Sequence, residues 1–482
     1  MLAEYVDGLP NISGSEAVVS AHSGRAADAY RTAGGVDFGR IKSAAAIALH
    51  MQQPLIPAGG GDLRTAELIS NLKYMMDNQH TGDNHNAPVF QWCYKRIGEF
   101  VPQLVGEGKQ PRVMLEYTGC LLHGLRHMGA HDVIDALRRV TVEPAFNRCV
   151  EWLGCPWSHA VAPSTPVQDY RLHVLAWQQH FASIFGLPAL ERVKGFSPSE
   201  MALPNQPDVA YAFVKTLRDC GFTWVLVQEH TVEQPDGRGI EKRHLPHRLV
   251  VRSSRGEEAS IVALIKTQGS DTKLVAQMQP YYEAKSLGRW ELAGRQVPPL
   301  VTQIADGENG GVMMNEFPQK FFEVVRESSH SETPLMNGSE YLEHLFASGI
   351  KETDLPVIQP LHQHRIWRRI QPGAGPEKLA AAIEECKKED HRFHMEGGSW
   401  TNSISWVHGY DNVLGPMEHA SSLFNEKVLK KGVKTGDPRF RNALFYLLTS
   451  QTSCYRYWGQ GLWTDYAREI CRRVTDIVEH DF

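Results

Sequence analysis

Ser43-Ala44-Ala45-Ala46-Ile47-Ala48-Leu49-His50 is an uninterrupted apolar run that ends on a histidine. Six more runs follow, at residues 112–117, 146–152, 196–203, 222–227, 260–265 and 300–305, the one at 196–203 shorter and weaker than the rest. A short run that is apolar on both faces fits a strand buried on both sides, as parallel sheets require. Residues 66–76, 132–139, 170–185 and 208–220 carry helical periodicity between these runs, and Gly221 stands where a helix should stop. Strands alternating with helices predict an α/β fold with a parallel sheet. About seven such strands around one large core predict a barrel, and not the regular eightfold one.

The pattern changes near residue 330. Strand-like runs stop, and residues 378–388, 416–429, 438–450 and 463–479 read as helices after a turn at 370–375. The expected organisation is therefore a barrel over residues 1–330 and a helical region over 331–482 that contributes to the cleft. Residues 235–239 are turn-rich and 248–254 strand-like, which predicts a β insertion near 235–260.

Bulk properties exclude several classes. The 482 residues are 42% hydrophobic and 22% charged, ordinary values for a large buried core. A net charge of −5 provides no field to hold phosphate backbones, so nucleic acid is not an expected partner. The basic stretches 365–369 and 427–434 are short and read as solvated faces. None of the eight cysteines forms a C-x-x-C pair, and no stretch has the make-up of a signal peptide or a membrane span. A reducing, cytoplasmic location is the resulting expectation. No feature specifies an oligomeric state.

Polar groups fall where the apolar runs end. His50 closes the first run, Glu116 lies late in the second, Glu151 in the third and Glu200 in the fourth, Glu229 and His230 follow the fifth, and Asp306 follows the seventh. In a parallel barrel the carboxyl ends of the strands form one mouth. Any single one of these groups is more simply a helix cap or an ion-pair partner. Buried carboxylates without partners are costly, so the set as a whole points to a site. Two carboxylates across one cleft suit glycoside cleavage, one attacking the anomeric carbon and the other protonating the departing oxygen. A separation of roughly 5 Å gives retention and about 6.5–9.5 Å inversion.

The motifs around these residues resemble glycoside hydrolase family 57. His50-Met51-Gln52-Gln53-Pro54 is similar to its His-x-His-Gln-Pro motif. Residues 151–159, from Glu151 through Trp157 to His159, resemble its second motif, a glutamate followed by a histidine. Gly195-Phe196-Ser197-Pro198-Ser199-Glu200 resembles Gly-Phe-Trp-x-x-Glu, and Asp306-Gly307-Glu308-Asn309-Gly310 resembles Asp-Gly/Ala-Glu-x-x-Gly. Trp400, Trp406 and Asn412 resemble the later helical region, and Tyr455 to Gly459, with Trp458, the aromatic closing segment. The resemblance implies an incomplete seven-stranded β/α barrel followed by a helical bundle. It also implies retention on α-glucans, with Glu200 as nucleophile and Asp306 as acid/base. His50, Gln52, Glu151, Trp157, His159, Trp400, Trp406 and Trp458 would then bind an oligo- or polysaccharide, with no cofactor and no metal. Gln52 replaces the motif's second histidine, Ser197 its tryptophan, and Cys454 a common aspartate, which puts substrate identity in question more than mechanism.

Glu200 is expected to be ionised, with an ordinary or depressed pKa, and Asp306 to hold a raised one. Glu229 and His230 read as the start of a surface loop. His362-Gln363-His364 is followed by arginines and reads as a solvated segment. His123, His127 and His131 would stack on one helix face as a structural stripe, not a metal site. Two other classes remain open: a metal-dependent deacetylase or hydrolase on a related barrel, and a non-catalytic glucan-binding homologue.

Overall fold

The structure, a computed structural model, describes residues 2–267, 272–308, 314–401, 411–457 and 461–482. All seven apolar runs contribute a strand to one closed parallel barrel: β1 Ala44–Met51, β2 Val113–Tyr117, β3 Val150–Gly154, β4 Gly195–Phe196, β5 Trp224–Gln228, β6 Glu258–Lys266 and β7 Leu300–Asp306. Each pairs with the next in parallel register, and β7 closes on β1 from Leu300↔Ala44 to Asp306↔His50. The barrel is irregular. β4 has two residues, and β6 meets β7 through a single pair, Lys266↔Thr302. Gly195 allows β4 to pass under the Trp224 indole; a Cβ there would lie 2.2 Å from a ring carbon.

Alternation along β1 explains the continuous apolar run. Ala44, Ala46 and Ala48 pack inside the barrel with Met114, Leu153, Trp224, Leu226, Leu264 and Ile304. Ala45, Ile47 and Leu49 pack outward into the core beneath the helices. Both faces are dry, so neither carries polar residues. Strand period two then assigns the top of the barrel. The next inward residue after Ala48 is His50, after Met114 it is Glu116, after Leu264 it is Lys266, and after Ile304 it is Asp306.

The β insertion is the strand His247–Arg252, antiparallel to β6 from His247↔Ala263 to Arg252↔Glu258. Val357–Pro360 pairs parallel to it, and Val232–Glu233 pairs antiparallel to Val357–Pro360. The sheet thus receives a strand beyond residue 330, where the sequence shows only a short run between turns. Helices Asp411–Phe424, Pro438–Ser450 and Leu462–Asp481 form the helical C-terminal region and share one apolar core with the barrel's outer helices.

Three local expectations differ from what is found. Residues 66–76 divide into the strand Glu67–Ser70, paired antiparallel with Leu55–Gly59, and the helix Asn71–Asp77. Residues 146–149, Phe-Asn-Arg-Cys, form a turn, so β3 runs from Val150 to Gly154 rather than over 146–152. The stretch 365–369 is not simply solvated: Arg365 pairs with Asp390 at 2.9 Å and Arg369 with Glu389. His362 stacks on Phe393 at 5.4 Å, and His364 Nδ1 lies 2.9 Å from the buried Glu233.

Candidate active site

The mouth of the barrel holds a cavity lined by His50, Glu116, His159, Ser197, Glu200, Lys266, Asp306 and Trp400, among others. Four of these are the topmost inward residues of β1, β2, β6 and β7. Glu200 arrives differently, from a turn after β4, with φ +58° and ψ 19°. Met201 follows at φ +51°, and His159 across the cavity sits at φ +62°. Residues with a Cβ rarely adopt the left-handed region, and such strain gathers at functional sites. Trp400 N–H donates to the Glu200 carbonyl at 3.0 Å, which fixes the turn.

The buried Glu116 carboxylate organises one wall. Its Oε2 lies 3.0 Å from His50 Nδ1 and accepts from Ser197 Oγ at 3.0 Å. Burial opposes a charge on His50, yet Glu116, Asp306 and Glu308 together push its pKa up to about 10. His50 is therefore a fixed cation in the cavity. Its ring stacks on His159 with centroids 4.6 Å apart. Burial and the His50 charge hold His159 neutral, well below its usual range. His159 Nδ1 lies 2.6 Å from Ser453 Oγ and 3.8 Å from Glu200 Oε1.

The two acids at the centre influence each other. Burial and the neighbouring Asp306 push Glu200 up to about 8, while His50 and a hydrogen bond from the Trp400 side chain pull it down. Asp306 is also raised, by burial first, with His50 pulling it down and Glu116 pushing it up. The ordinary or depressed pKa expected for Glu200 is thus not found, because desolvation and Asp306 outweigh His50. Burial and Asp306 raise Glu308 to about 8 as well. Its Oε1 accepts from Gln52 N–H at 3.0 Å. The Asp306-Gly307-Glu308 turn is held from both sides. Gly307 N–H donates to the His50 carbonyl at 2.7 Å, and Arg96 Nη2 donates to the Gly307 carbonyl at 2.9 Å.

Gln52 is buried and does not line the cavity. Its side-chain oxygen accepts from Thr118 Oγ1 at 2.5 Å, and its amide nitrogen lies 3.6 Å from Cys454 Sγ. Glu151 lies elsewhere. It is the second residue of β3, at the opposite end of the barrel, where it accepts hydrogen bonds from the backbone and hydroxyl of Ser339. The shifted start of β3 is the reason. Trp157 is fully buried, with its indole N–H donating to His180 at 3.2 Å, and does not line the cavity. Glu229 and His230 form a short turn, the first paired with Arg243 and the second with the Ser399 carbonyl. His123 is buried neutral, pulled down to about 3 by burial with help from His180 and His127. Trp406 and Trp458 lie outside the described residues. Among the described residues no three His, Cys, Asp or Glu side chains gather in a group able to hold a metal ion.

Sequence reasoning assigned no role to Lys266 or Ser453 and left Glu116 among the strand-end acids. Inward parity on the sixth run would have found Lys266, which is 1% exposed and held down to about 8 by burial. Ser453 comes from the distant helical region and carries no local signal.

No protein-family model matches the chain, and no curated protein does. Solved structures do. A 4-α-glucanotransferase from Thermococcus litoralis superposes with a TM-score of 0.55 at 16% identity, over 92% of this chain and 60% of that one. A family 57-type branching enzyme from Pyrococcus horikoshii gives 0.54 at 12% identity, over 91% and 88%. An α-amylase from Thermotoga maritima gives 0.50 at 11% identity, over 91% and 93%. This chain has the fold of these enzymes. It spans 60% of the length of the glucanotransferase, and at such identities the likeness carries the fold alone.

Proposed function

We propose that this protein is a retaining glycoside hydrolase or transglycosylase that acts on α-glucan-type oligo- or polysaccharides. One observation carries the reading: Glu200 and Asp306, 106 positions apart in the chain, line one cavity and couple electrically. A negative charge on Asp306 raises Glu200, so ionising both is costly and one proton held between them leaves one acid and one carboxylate. In the reactive form the proton sits on Asp306. The Glu200 carboxylate attacks the anomeric carbon as Asp306 delivers that proton to the leaving oxygen. A glycosyl ester forms on Glu200. Asp306, now a base, removes a proton from water or a sugar hydroxyl, which takes the glycosyl group. Cationic His50, backed by Glu116, keeps negative charge tolerable between the two acids. Three further points support a saccharide substrate: the sequence motifs, the shared fold of the glucan-active enzymes, and Trp400 beside the nucleophile. The location is read as cytoplasmic from cysteine usage; among the described residues no helix is long and apolar enough to cross a membrane.

The test is Glu200→Gln together with an activated 5-fluoro-glucosyl fluoride. Turnover on maltooligosaccharides should be lost with the fold intact by circular dichroism, and mass spectrometry of the wild type should find the sugar on the peptide containing Glu200. Wild-type turnover in the variant, or label on another residue, refutes the assignment. Activity that chelators abolish would favour the metal-dependent alternative.

A further inference from the structure

Two helices begin on the face of the barrel where the strands end. Ala87–Gly106 lies between β1 and β2, and Phe317–Ser328 follows β7. Between their first turns runs a groove of about 410 Å³, lined by Pro88, Val89, Trp92 and Arg96 on one side and Met314 and Asn315 on the other. That volume lies within the range of small-molecule sites, about 300–1,000 Å³. Val89 and Trp92 are three residues apart and so share a helix face. They are 37% and 40% exposed, among the few large apolar side chains left in solvent.

Arg96, one turn after Trp92, links this groove to the active site. It is 1% exposed, and its guanidinium carbon lies 5.4 Å from the Trp92 ring centroid. Its Nη2 donates to Gly307, the residue after Asp306. Its buried Nε–H has no acceptor among the described residues. A partly exposed, flat indole suits the apolar C–H face of a pyranose, and Asn315 on the other side of the groove adds a polar group to the same lining.

We propose that this groove is a second sugar subsite, which stacks a pyranose of the glucan chain on Trp92 while another part of the chain occupies the cavity. The proposal rests on the glucan-enzyme reading above. It gives the protein a preference for long chains over short ones.

The experiment uses the full chain carrying Glu200→Gln, with maltose and maltoheptaose as probes in isothermal titration calorimetry. Adding Trp92→Ala should weaken maltoheptaose binding about tenfold and shrink its advantage over maltose; about 1.4 kcal/mol corresponds to tenfold. Adding Trp92→Tyr, which restores a ring, should recover most of the loss. An unchanged preference in Trp92→Ala, or no recovery in Trp92→Tyr, overturns the subsite. Failure of the Glu200→Gln chain to bind either sugar would instead overturn the glucan reading itself.

Discussion

Charge balance inside the cavity is decided by single residues. Four acids, Glu116, Glu200, Asp306 and Glu308, surround one imidazolium, His50, and share few charges between them. Removing Glu116 should take away the largest of the charges that hold His50 protonated, leaving Asp306 and Glu308 against burial. In Glu116→Gln the His50 imidazole should titrate far below about 10, and kcat/KM should fall on the order of tenfold. Nuclear magnetic resonance of the imidazole protons reads the first and steady-state kinetics the second. A His50 that stays protonated above pH 9 in that variant would disprove the role given to Glu116. Asp306→Asn removes the proton donor, so it should slow substrates with poor leaving groups far more than activated aryl glycosides. Equal losses on both would rule out acid catalysis by Asp306.

Elements are locked together by buried polar contacts at the other end of the barrel. Helix Gly338–Ala347 starts at a capping box, with Asn337 N–H donating to Glu340. Glu340 in turn accepts two bonds from Arg112, at 2.8 and 3.0 Å, just before β2. Glu151 on β3 accepts from Ser339 in the same first turn. Both members of the Arg112–Glu340 pair are almost wholly buried. Removing one leaves the other charged and dry, at a cost of about 3–5 kcal/mol. Arg112→Met should therefore lower the unfolding free energy by that amount, read as a lower urea midpoint with the denaturant dependence unchanged. A shift below about 1 kcal/mol would mean that the pair does not pin the helix.

For the whole molecule, the buried ionisable groups set a pH dependence of stability. Glu151 is raised to about 7 by burial, and Glu200 and Glu308 to about 8. Each holds a proton in the folded state, Glu200 sharing one with Asp306, that the unfolded chain loses, so each withdraws stability as pH rises from about 4.5 to its folded value. His50, raised to about 10, contributes stability fully below about 6.5 and loses it as pH rises towards 10. Buried His123 and His180, both held near 3 by burial, act oppositely, adding stability as pH rises to about 6.5 and nothing beyond. Between about pH 6.5 and 8 the acids and His50 act in one direction, opposed near pH 8 by Lys266, which burial holds down to about 8. The melting temperature should fall across that window, and Glu151→Gln should reduce the fall near pH 7. A melting temperature that rises from pH 6.5 to 8 would contradict the protonation states assigned here.

The amino-acid sequence by itself determined the barrel. Strands buried on both faces must be apolar at consecutive positions, so most of the seven announce themselves as runs, β4 least because it has two residues, and helix periodicity marks what lies between. It also marked Glu200, Asp306, His50 and His159, which the structure brings to one cavity, because short motifs at strand ends survive in linear form. The tertiary structure decided what depends on register and on distance along the chain. Phe146 and Cys149 flank the polar Asn147 and Arg148 in a turn, so β3 starts only at Val150 and Glu151 falls at the far end of the barrel. Trp157 reads equally well as a sugar platform or as core until its neighbours are known, and it is core. The elevated Glu200, the His50 cation and the contact of Ser453 with His159 arise from groups distant in sequence sharing one dry space, where burial and nearby charge, not local composition, set their chemistry.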